Sequence, residues 1–301
     1  MTSDHRTEAF DIVISGAGIG ALTLANYLAP LGFRILILDR RPGFDPVHRG
    51  ELVQPIGLSI LEELSLLDDL KKLPHTDYRS FDFLDEEGHL LMRSSYQAGT
   101  GPFPYALAIE PHLMDQLLAQ NLSSHSHVVI RHASDFRDFS VDSSGVTATY
   151  ERDGQIRSVL ARILVGDDGR HSRVREIAKI PGTAVPYRDS YLGGSLFLPE
   201  ALESLPPAVA DTSGRYFLGP RSIFFSFRSL SVAASFSFFF QTGIGRNSSR
   251  GEPHPFSATS TARSRVSPQL PSETDSTIPP ASWSYRSGKS ISNAGPTTGL
   301  F

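Results

Sequence analysis

The sequence predicts an α/β fold built around a parallel sheet. Three observations indicate this class. A β-branched run, DIVIS, is followed by glycines and then by ALTLANYLAPLG, which has helical apolar spacing. A second apolar run, FRILILD, comes directly afterwards, as expected for two parallel strands joined by a helical crossover. A third apolar run, at 161–165, ends in another acidic and glycine-containing turn.

The composition is that of a globular chain of 301 residues with a formal net charge of −4 and no cysteine. Without a surplus of basic residues, nucleic acid is not expected as a partner. The absence of cysteine excludes disulfides, thiolate metal sites and a cysteine nucleophile. The polar N-terminus and the absence of an apolar run of about 18 residues predict a cytoplasmic protein with no integral membrane segment.

The first turn fits the pattern G-x-G-x-x-[G/A]. Gly16 permits the tight turn, Gly18 leaves room for a pyrophosphate, and Ala21 lets helix and strand pack closely. The free amides at the helix start attract phosphates. Asp39, at the end of the second strand, is placed to accept hydrogen bonds from a ribose. A glycine-rich structural turn is the alternative, and both NAD and FAD use this pattern.

The middle of the chain alternates helical and strand-like patterns. The leucine spacing of 57–73, with acidic residues early and lysines late, predicts an amphipathic helix. Glu87-Gly88 predicts the turn of a hairpin over 81–94. The other predicted elements are a helix at 110–122, strands at 127–131, 145–150, 156–160 and 161–165 with a helix after the last, and consecutive strands at 214–240.

The stretch LVGDDGRHSRVR is the second candidate ligand site. It follows a buried strand, where ligands gather in open α/β sheets. Asp168 and Gly169 place a carboxylate beside a flexible residue, and Ser172 is placed to cap the next helix. A carboxylate here would bind ribose or ribityl hydroxyls, and the arginines that follow would meet phosphate. An ordinary Asp-Gly turn before a capped helix is the alternative.

The motifs GAGIGA…LD and LVGDDGRHSRVR, together with HRGELVQPIGLSILEELSLLDDL, resemble the FAD-dependent aromatic hydroxylases, the group A flavin monooxygenases related to para-hydroxybenzoate hydroxylase. The resemblance covers roughly residues 10–240. It implies a Rossmann-like FAD-binding domain with an interleaved β-rich substrate domain, incomplete at the C-terminus. The implied domains are 8–180 for FAD, with a β-rich insert around 75–108, then 181–240 for substrate, and a tail at 241–301.

The resemblance also assigns cofactor contacts to individual positions. The glycine turn would hold the FAD pyrophosphate, the acidic residue after the second strand would hold the adenosine ribose, and the second turn would contact FAD. Arg49 would lie near the phosphates or the flavin, with a solvated surface arginine as the alternative. Arg40 and Arg41 are expected to be a solvated pair, with contact of either one to a phosphate as the alternative. The implied positions are Gly16, Gly18, Ala21, Asp39, Arg49, Asp168 and Gly169.

Enzymes of this family reduce FAD with NADPH or NADH, and the reduced flavin reacts with dioxygen to give a C4a-hydroperoxide that hydroxylates an electron-rich substrate. The resemblance therefore implies hydroxylation of a small aromatic or polyketide-like molecule, with no catalytic side chain assigned because the cofactor carries the chemistry. A non-catalytic remnant that binds nucleotide weakly is the alternative. Aromatic residues that would form core or line a pocket are Phe197, Tyr216, Phe217, Phe224 and Phe225.

Three further features shape the expectation. Glu110 stands where the family usually has a helix-opening arginine, and the family's Gly-Asp-Ala-x-His motif is absent from the sequence. The stretch 241–301 is rich in Ser, Pro and Gly, which predicts disorder and is what a shifted reading frame would produce. No metal site is expected, because no acidic or thiolate partner is spaced with the loop histidines His125, His127 and His132.

Overall fold

The computed structural model describes residues 8–45, 51–99, 101–183, 185, 189–196, 213–220, 222–229 and 232–241. Among these residues, those within 8–183 and 192–238 belong to one compact unit, and 185, 189–191 and 239–241 belong to a second. Arg49, Phe197 and the predicted tail from residue 242 onward lie outside the described residues, and the predictions made for them stay predictions.

The described residues form strands and helices in the alternating order that the sequence predicts. The strands are β1 (Glu8–Ser15), β2 (Ile35–Leu38), β3 (Glu51–Val53), β4 (His75–Tyr78), β5 (Ser80–Leu84), β6 (Leu90–Ser95), β7 (Ala106–Ile109), β8 (Val128–Arg131), β9 (Asp135–Asp142), β10 (Gly145–Arg152), β11 (Gln155–Gly166), β12 (Asp189–Leu196), β13 (Gly214–Leu218), β14 (Ser222–Ser229) and β15 (Val232–Gln241). The helices are α1 (Ile19–Leu28), α2 (Pro55–Glu63), α3 (Leu67–Lys72), α4 (Pro111–Leu122) and α5 (Arg173–Ile177).

The first sheet has the order β8-β2-β1-β11-β10-β9. Its first four strands are mutually parallel, and β10 and β9 continue the sheet antiparallel. All four residues of β2 and the last four of β1 are buried, as expected for strands covered on both faces. The predicted α/β fold with a parallel nucleotide-binding core is confirmed.

Helix α1 joins β1 to β2 and packs beside α4. It continues as a short 3-10 turn that ends at Gly32, whose φ of +81° is the left-handed conformation expected of a C-terminal glycine. Leu22 and Leu118 meet in the core between the two helices. The buried Asn26 side chain donates to the carbonyl oxygens of Leu22 and Leu118 and accepts from Asn121, which satisfies its polar atoms.

Two further sheets interleave distant parts of the chain. One has the order β12-β15-β14-β13-β5-β6, and the other has the order β3-β7-β4. Strand β5, from the predicted insert, pairs parallel with β13, which lies more than a hundred residues later in the chain. The predicted hairpin over 81–94 is confirmed as β5 and β6. The interleaved β-rich architecture is therefore present, while the predicted domain bounds stay predictions.

The structure corrects three element predictions. The single helix expected over 57–73 is two helices, because the chain turns at Ser65 with a φ of +58°. The two strands expected at 156–160 and 161–165 are one continuous strand, β11. Strand β9 was not predicted. Among the described residues, no helix has the length and hydropathy needed to cross a bilayer.

Candidate functional site: a cavity where three strand ends meet

Three parallel strands of the first sheet end side by side. Ser15 of β1 is in register with Leu38 of β2 and with Gly166 of β11. The chain segments that follow these strands are tied together, since the Gly16 amide donates to the Leu38 carbonyl at 2.7 Å and the Asp167 amide donates to the Ser15 carbonyl at 2.8 Å. They enclose a cavity of about 320 Å³ lined by residues 15–18, 38–41, 134–136, 167–169, 171 and 173.

The glycine turn after β1 has the conformation that the pattern requires. Gly16 has a φ of +103°, and a Cβ there would lie 2.1 Å from the Asp167 carbonyl oxygen. Gly18 is extended and precedes the first residue of α1. A Cβ on Gly18 would meet only the Asp167 carboxylate, at 3.7 Å, so this carboxylate is the group that lies beside the turn. Ala21 is buried in the core below the turn, and only a small side chain fits this close packing.

Asp39, the predicted ribose ligand, lines the cavity, but its carboxylate already has protein partners. The side chain is 4% exposed. It accepts hydrogen bonds from the amide of Ala17 at 2.9 Å and from the amide and the guanidinium of Arg41. Burial alone would raise the pKa of Asp39, but the hydrogen bonds and the charge of Arg41 outweigh it, so this pKa lies below its usual value.

Arg41 is not the solvated arginine that the sequence suggested. Its Nη2 donates to the carbonyl of Ala17 at 2.7 Å and to Asp39 at 2.8 Å, and its Nη1 lies 3.5 Å from the Asp115 carboxylate on α4. Its guanidinium also lies over the ring of Phe44. Arg41 therefore joins the first turn, the end of β2 and helix α4. Arg40 is exposed and lines the cavity.

Asp168 and Gly169, predicted from the second motif, also line the cavity. One Asp168 oxygen, Oδ2, accepts from the amides of Arg173 at 2.7 Å and Val174 at 3.1 Å, the first two residues of α5. The other oxygen, Oδ1, is buried and has no hydrogen-bond partner. The predicted cap by Ser172 is confirmed, since its hydroxyl accepts from the amide of Arg175 at 3.0 Å. Asp168 thus fixes the second turn through Oδ2, while Oδ1 remains an acceptor without a donor.

Asp167 is a cavity residue that sequence reasoning missed. Its Oδ2 accepts a hydrogen bond from the amide of Ala21, in the first turn of α1, at 2.7 Å. Although the residue is exposed to the cavity, the surrounding protein partly desolvates its carboxylate, and this together with the charge of Asp168 raises the pKa of Asp167. The acidic doublet in GDDG was the available signal. Its meaning depends on a contact between residues 146 positions apart.

The remaining sequence candidates lie elsewhere in the described residues. Glu110 directly precedes α4 and lies 3.5 Å from His112, and it does not line the cavity. The loop histidines are packed rather than solvated, since His127 contacts both His125 and the Ala29 carbonyl and His132 packs edge-on against Phe44. The described aromatic candidates lie in the second sheet, where Tyr216 stacks on Phe225 at a centroid distance of 4.4 Å and Phe217 lies tilted against Phe224 at 5.7 Å.

The donor set of the cavity fits a dinucleotide. The glycine turn brings the backbone of Gly18 to the start of α1 beside the cavity, which is where a phosphate chain is bound in folds of this type. The orphaned Asp168 Oδ1 is a buried acceptor without a donor, and a hydroxyl of a ribose or ribityl chain would satisfy it.

Comparisons with known proteins agree with this geometry. A family model described as an FAD binding domain matches residues 9–274, which extends beyond residue 240 into the predicted tail. The 6-methylpretetramide 4-monooxygenase of Streptomyces rimosus is 29% identical over 183 residues, which are 57% of this chain and 41% of that protein. The 3-(3-hydroxy-phenyl)propionate/3-hydroxycinnamic acid hydroxylase of Paraburkholderia xenovorans is 31% identical over 181 residues, 58% of this chain and 28% of that protein.

A solved structure shows the same fold. The p-nitrophenol 4-monooxygenase PnpA from Pseudomonas putida superposes with a TM-score of 0.68 at 19% identity, over 78% of this chain and 58% of that one. The chain therefore spans less than half of the two curated relatives and little more than half of this structural neighbour.

Proposed function

This chain belongs to the FAD binding domain family, and we propose that it functions as an FAD-dependent monooxygenase. In this proposal it uses NADPH or NADH and dioxygen to hydroxylate a small aromatic or polyketide-like molecule. The two curated relatives support this substrate class, since one is a 6-methylpretetramide monooxygenase and the other is a hydroxylase of phenylpropionate and cinnamate compounds. The cytoplasmic location expected from the sequence stays a prediction.

The single observation that carries the proposal is that one cavity is lined both by the glycine turn at the start of α1 and by Asp168, whose Oδ1 has no hydrogen-bond partner. In the proposed site, the backbone at Gly16 and Gly18 receives the pyrophosphate at the positive end of α1. Asp168 Oδ1 accepts a hydrogen bond from a hydroxyl of the cofactor. Asp39 lines the same cavity, and the ribose would compete with Ala17 and Arg41 for its carboxylate.

FAD supplies the redox chemistry and the activation of dioxygen when it is bound. The residues of this chain hold and orient it. Arg41 keeps the Asp39 carboxylate ionised and fixed, so the polar wall of the cavity is preformed. Asp168 anchors the start of α5, which keeps the second turn beside the first.

The test begins with the visible spectrum of the purified protein. Bound oxidised flavin gives an absorption band at about 450 nm, which is a property of the cofactor. We expect the protein to be yellow or to take up added FAD. We further expect that a phenolic substrate accelerates its oxidation of NADPH or NADH. A colourless protein that binds no added FAD would contradict the proposal.

A nucleotide-binding chain without turnover is the second candidate function. The observation that favours it is the engagement of both Asp39 oxygens by Ala17 and Arg41, which leaves the ribose to compete for its acceptor. This candidate predicts weak FAD binding and no substrate-stimulated oxidation of NADPH or NADH. The same two measurements therefore separate it from the monooxygenase.

A further inference from the structure

A carboxylate of the chain lies where the first turn would receive an anion. The Asp167 Oδ2 accepts from the Ala21 amide at 2.7 Å, in the first turn of α1. Cβ atoms built on Gly18 and Gly20 would approach the same carboxylate, at 3.7 and 3.2 Å. The Asp167 side chain therefore covers the helix start, whose free amides and partial positive charge attract a phosphate.

No cation pairs with Asp167 among the described residues. The charged groups that face the same cavity are Asp39, Arg40 and Arg41 after β2, Asp135 at the start of β9, and Asp168, His171 and Arg173 in the second turn and α5. Arg41 is held by Asp39 and Asp115, and the charge adjacent to Asp167 is that of Asp168. Asp167 is therefore a negative group without an ion-pair partner in a site for a doubly charged diphosphate.

We propose that Asp167 competes with the FAD diphosphate for the amides at the start of α1 and so sets the affinity of this chain for FAD. The inference rests on the proposed FAD site and adds a residue that opposes binding there. Loading requires the carboxylate to leave the Ala21 amide or to take up a proton. Because partial desolvation and the charge of Asp168 raise the pKa of Asp167, we expect FAD to bind more tightly as the pH falls.

The experiment is a titration of FAD into cofactor-free protein, followed by quenching of flavin fluorescence between pH 5 and 8. At pH 8 we expect Asp167→Asn to bind FAD roughly tenfold more tightly than the unaltered chain, with Asp167→Ala at least as tight. The advantage should shrink toward pH 5. The difference between the two pH profiles isolates Asp167, because the other charged groups that line the cavity are the same in both proteins.

Asp138→Asn is the matched control. Asp138 lies on β9, is exposed and does not line the cavity, and its Oδ1 accepts the adjacent amide of Phe139 as an asparagine oxygen also would. It should bind FAD like the unaltered chain. Equal affinities and parallel pH profiles for the unaltered chain and both Asp167 variants would overturn the inference and leave the proposed function standing. Failure of all of them to bind FAD would overturn both, whereas binding by the Asp167 variants alone would support the inference.

Discussion

Two carboxylates end two strands of the same sheet, one on each side of β1, and their surroundings are opposite. Asp39, after β2, is buried, accepts from two amides and is paired with Arg41. Asp167, after β11, faces the cavity, accepts from one amide and has Asp168 beside it. The pKa of Asp39 is lowered and that of Asp167 is raised.

The difference between the two carboxylates separates a group that holds the fold, Asp39, from a group that is free to respond to a ligand, Asp167. A carboxylate whose acceptor sites are filled by the protein holds the fold in place. A carboxylate without a cation responds to whatever charge enters the cavity. The side of the cavity at β2 is therefore preformed, whereas the side at β11 carries a carboxylate with no ion-pair partner among the described residues. Substitutions at four positions test this contrast, beginning with Gly16, which lies against the Asp167 carbonyl.

Gly16→Ala should have the largest effect. The alanine would combine a φ of +103° with a Cβ 2.1 Å from the Asp167 carbonyl oxygen, so we expect a loss of about 4 kcal/mol in the free energy of unfolding. Gly88→Ala is the control, because Gly88 also has a positive φ, +89°, but nothing within 4 Å of the added Cβ. It should lose only about 1 kcal/mol. Equal losses in urea unfolding would refute the close approach.

Asp39→Asn should lose about 2 kcal/mol at neutral pH, because an amide NH₂ would face donors where a carboxylate oxygen now accepts. The folded pKa of Asp39 is lowered, so its contribution is complete above the ordinary carboxyl pKa of about 4 and is lost as the pH falls through the folded value. The difference between the two proteins should therefore shrink in acid, as urea unfolding at several pH values would show.

Asp82→Asn provides the comparison for Asp39→Asn, since Asp82 is buried and pairs with Arg93 on β6, away from the cavity. It should also lower stability while leaving FAD affinity unchanged. A drop in FAD affinity for Asp82→Asn would mean that loss of stability alone weakens binding.

Asp168→Ala should cost about 1 kcal/mol, because the first two amides of α5 lose their acceptor. Asp168→Asn should restore most of that loss, since its side-chain oxygen also accepts. Thermal unfolding of the two variants measures the cap alone. If alanine and asparagine destabilise equally, the charge of Asp168 rather than its hydrogen bonding stabilises the turn.

Asp167→Asn should have the smallest effect on stability and the opposite sign. Because the folded pKa of Asp167 is raised, the chain loses stability as the pH rises from the ordinary carboxyl value through the folded one, and this loss persists above it. The asparagine should therefore gain a few tenths of a kcal/mol at neutral pH, since solvent screens this exposed group. A melting temperature that falls for Asp167→Asn at pH 7 would contradict the contrast with Asp39.

Local patterns predicted most of the first sheet. The run from Asp11 to Leu28 contains a buried strand, a glycine turn and a helix whose signals all agree. The break at Ser65 was not predictable, because the leucine spacing continues through it. Strand β9 escaped because its sequence, DFRDFSVD, places charges among its apolar residues, and pairing with β10 decides its conformation.

The site was predictable in its residue types but not in its pairings. Gly16, Gly18, Asp39 and Asp168 follow from motif spacing and line the cavity. The hydrogen bonds that Arg41 donates to the Asp39 carboxylate could not be predicted, since an arginine in the loop after a strand is usually solvated. Hydrogen bonds that join distant segments depend on strand register, which no single segment specifies.

The pairing of β1 with β11 also constrains the order of synthesis. The register joins Ser15 to Gly166, so one edge of the central strand stays open until most of the described chain has left the ribosome. During that interval a buried, β-branched edge is exposed, which is the kind of surface that pairs with other chains. Nascent chains that stop before β11 should therefore depend on chaperones, because β11 both completes the cavity and pairs with this edge of β1.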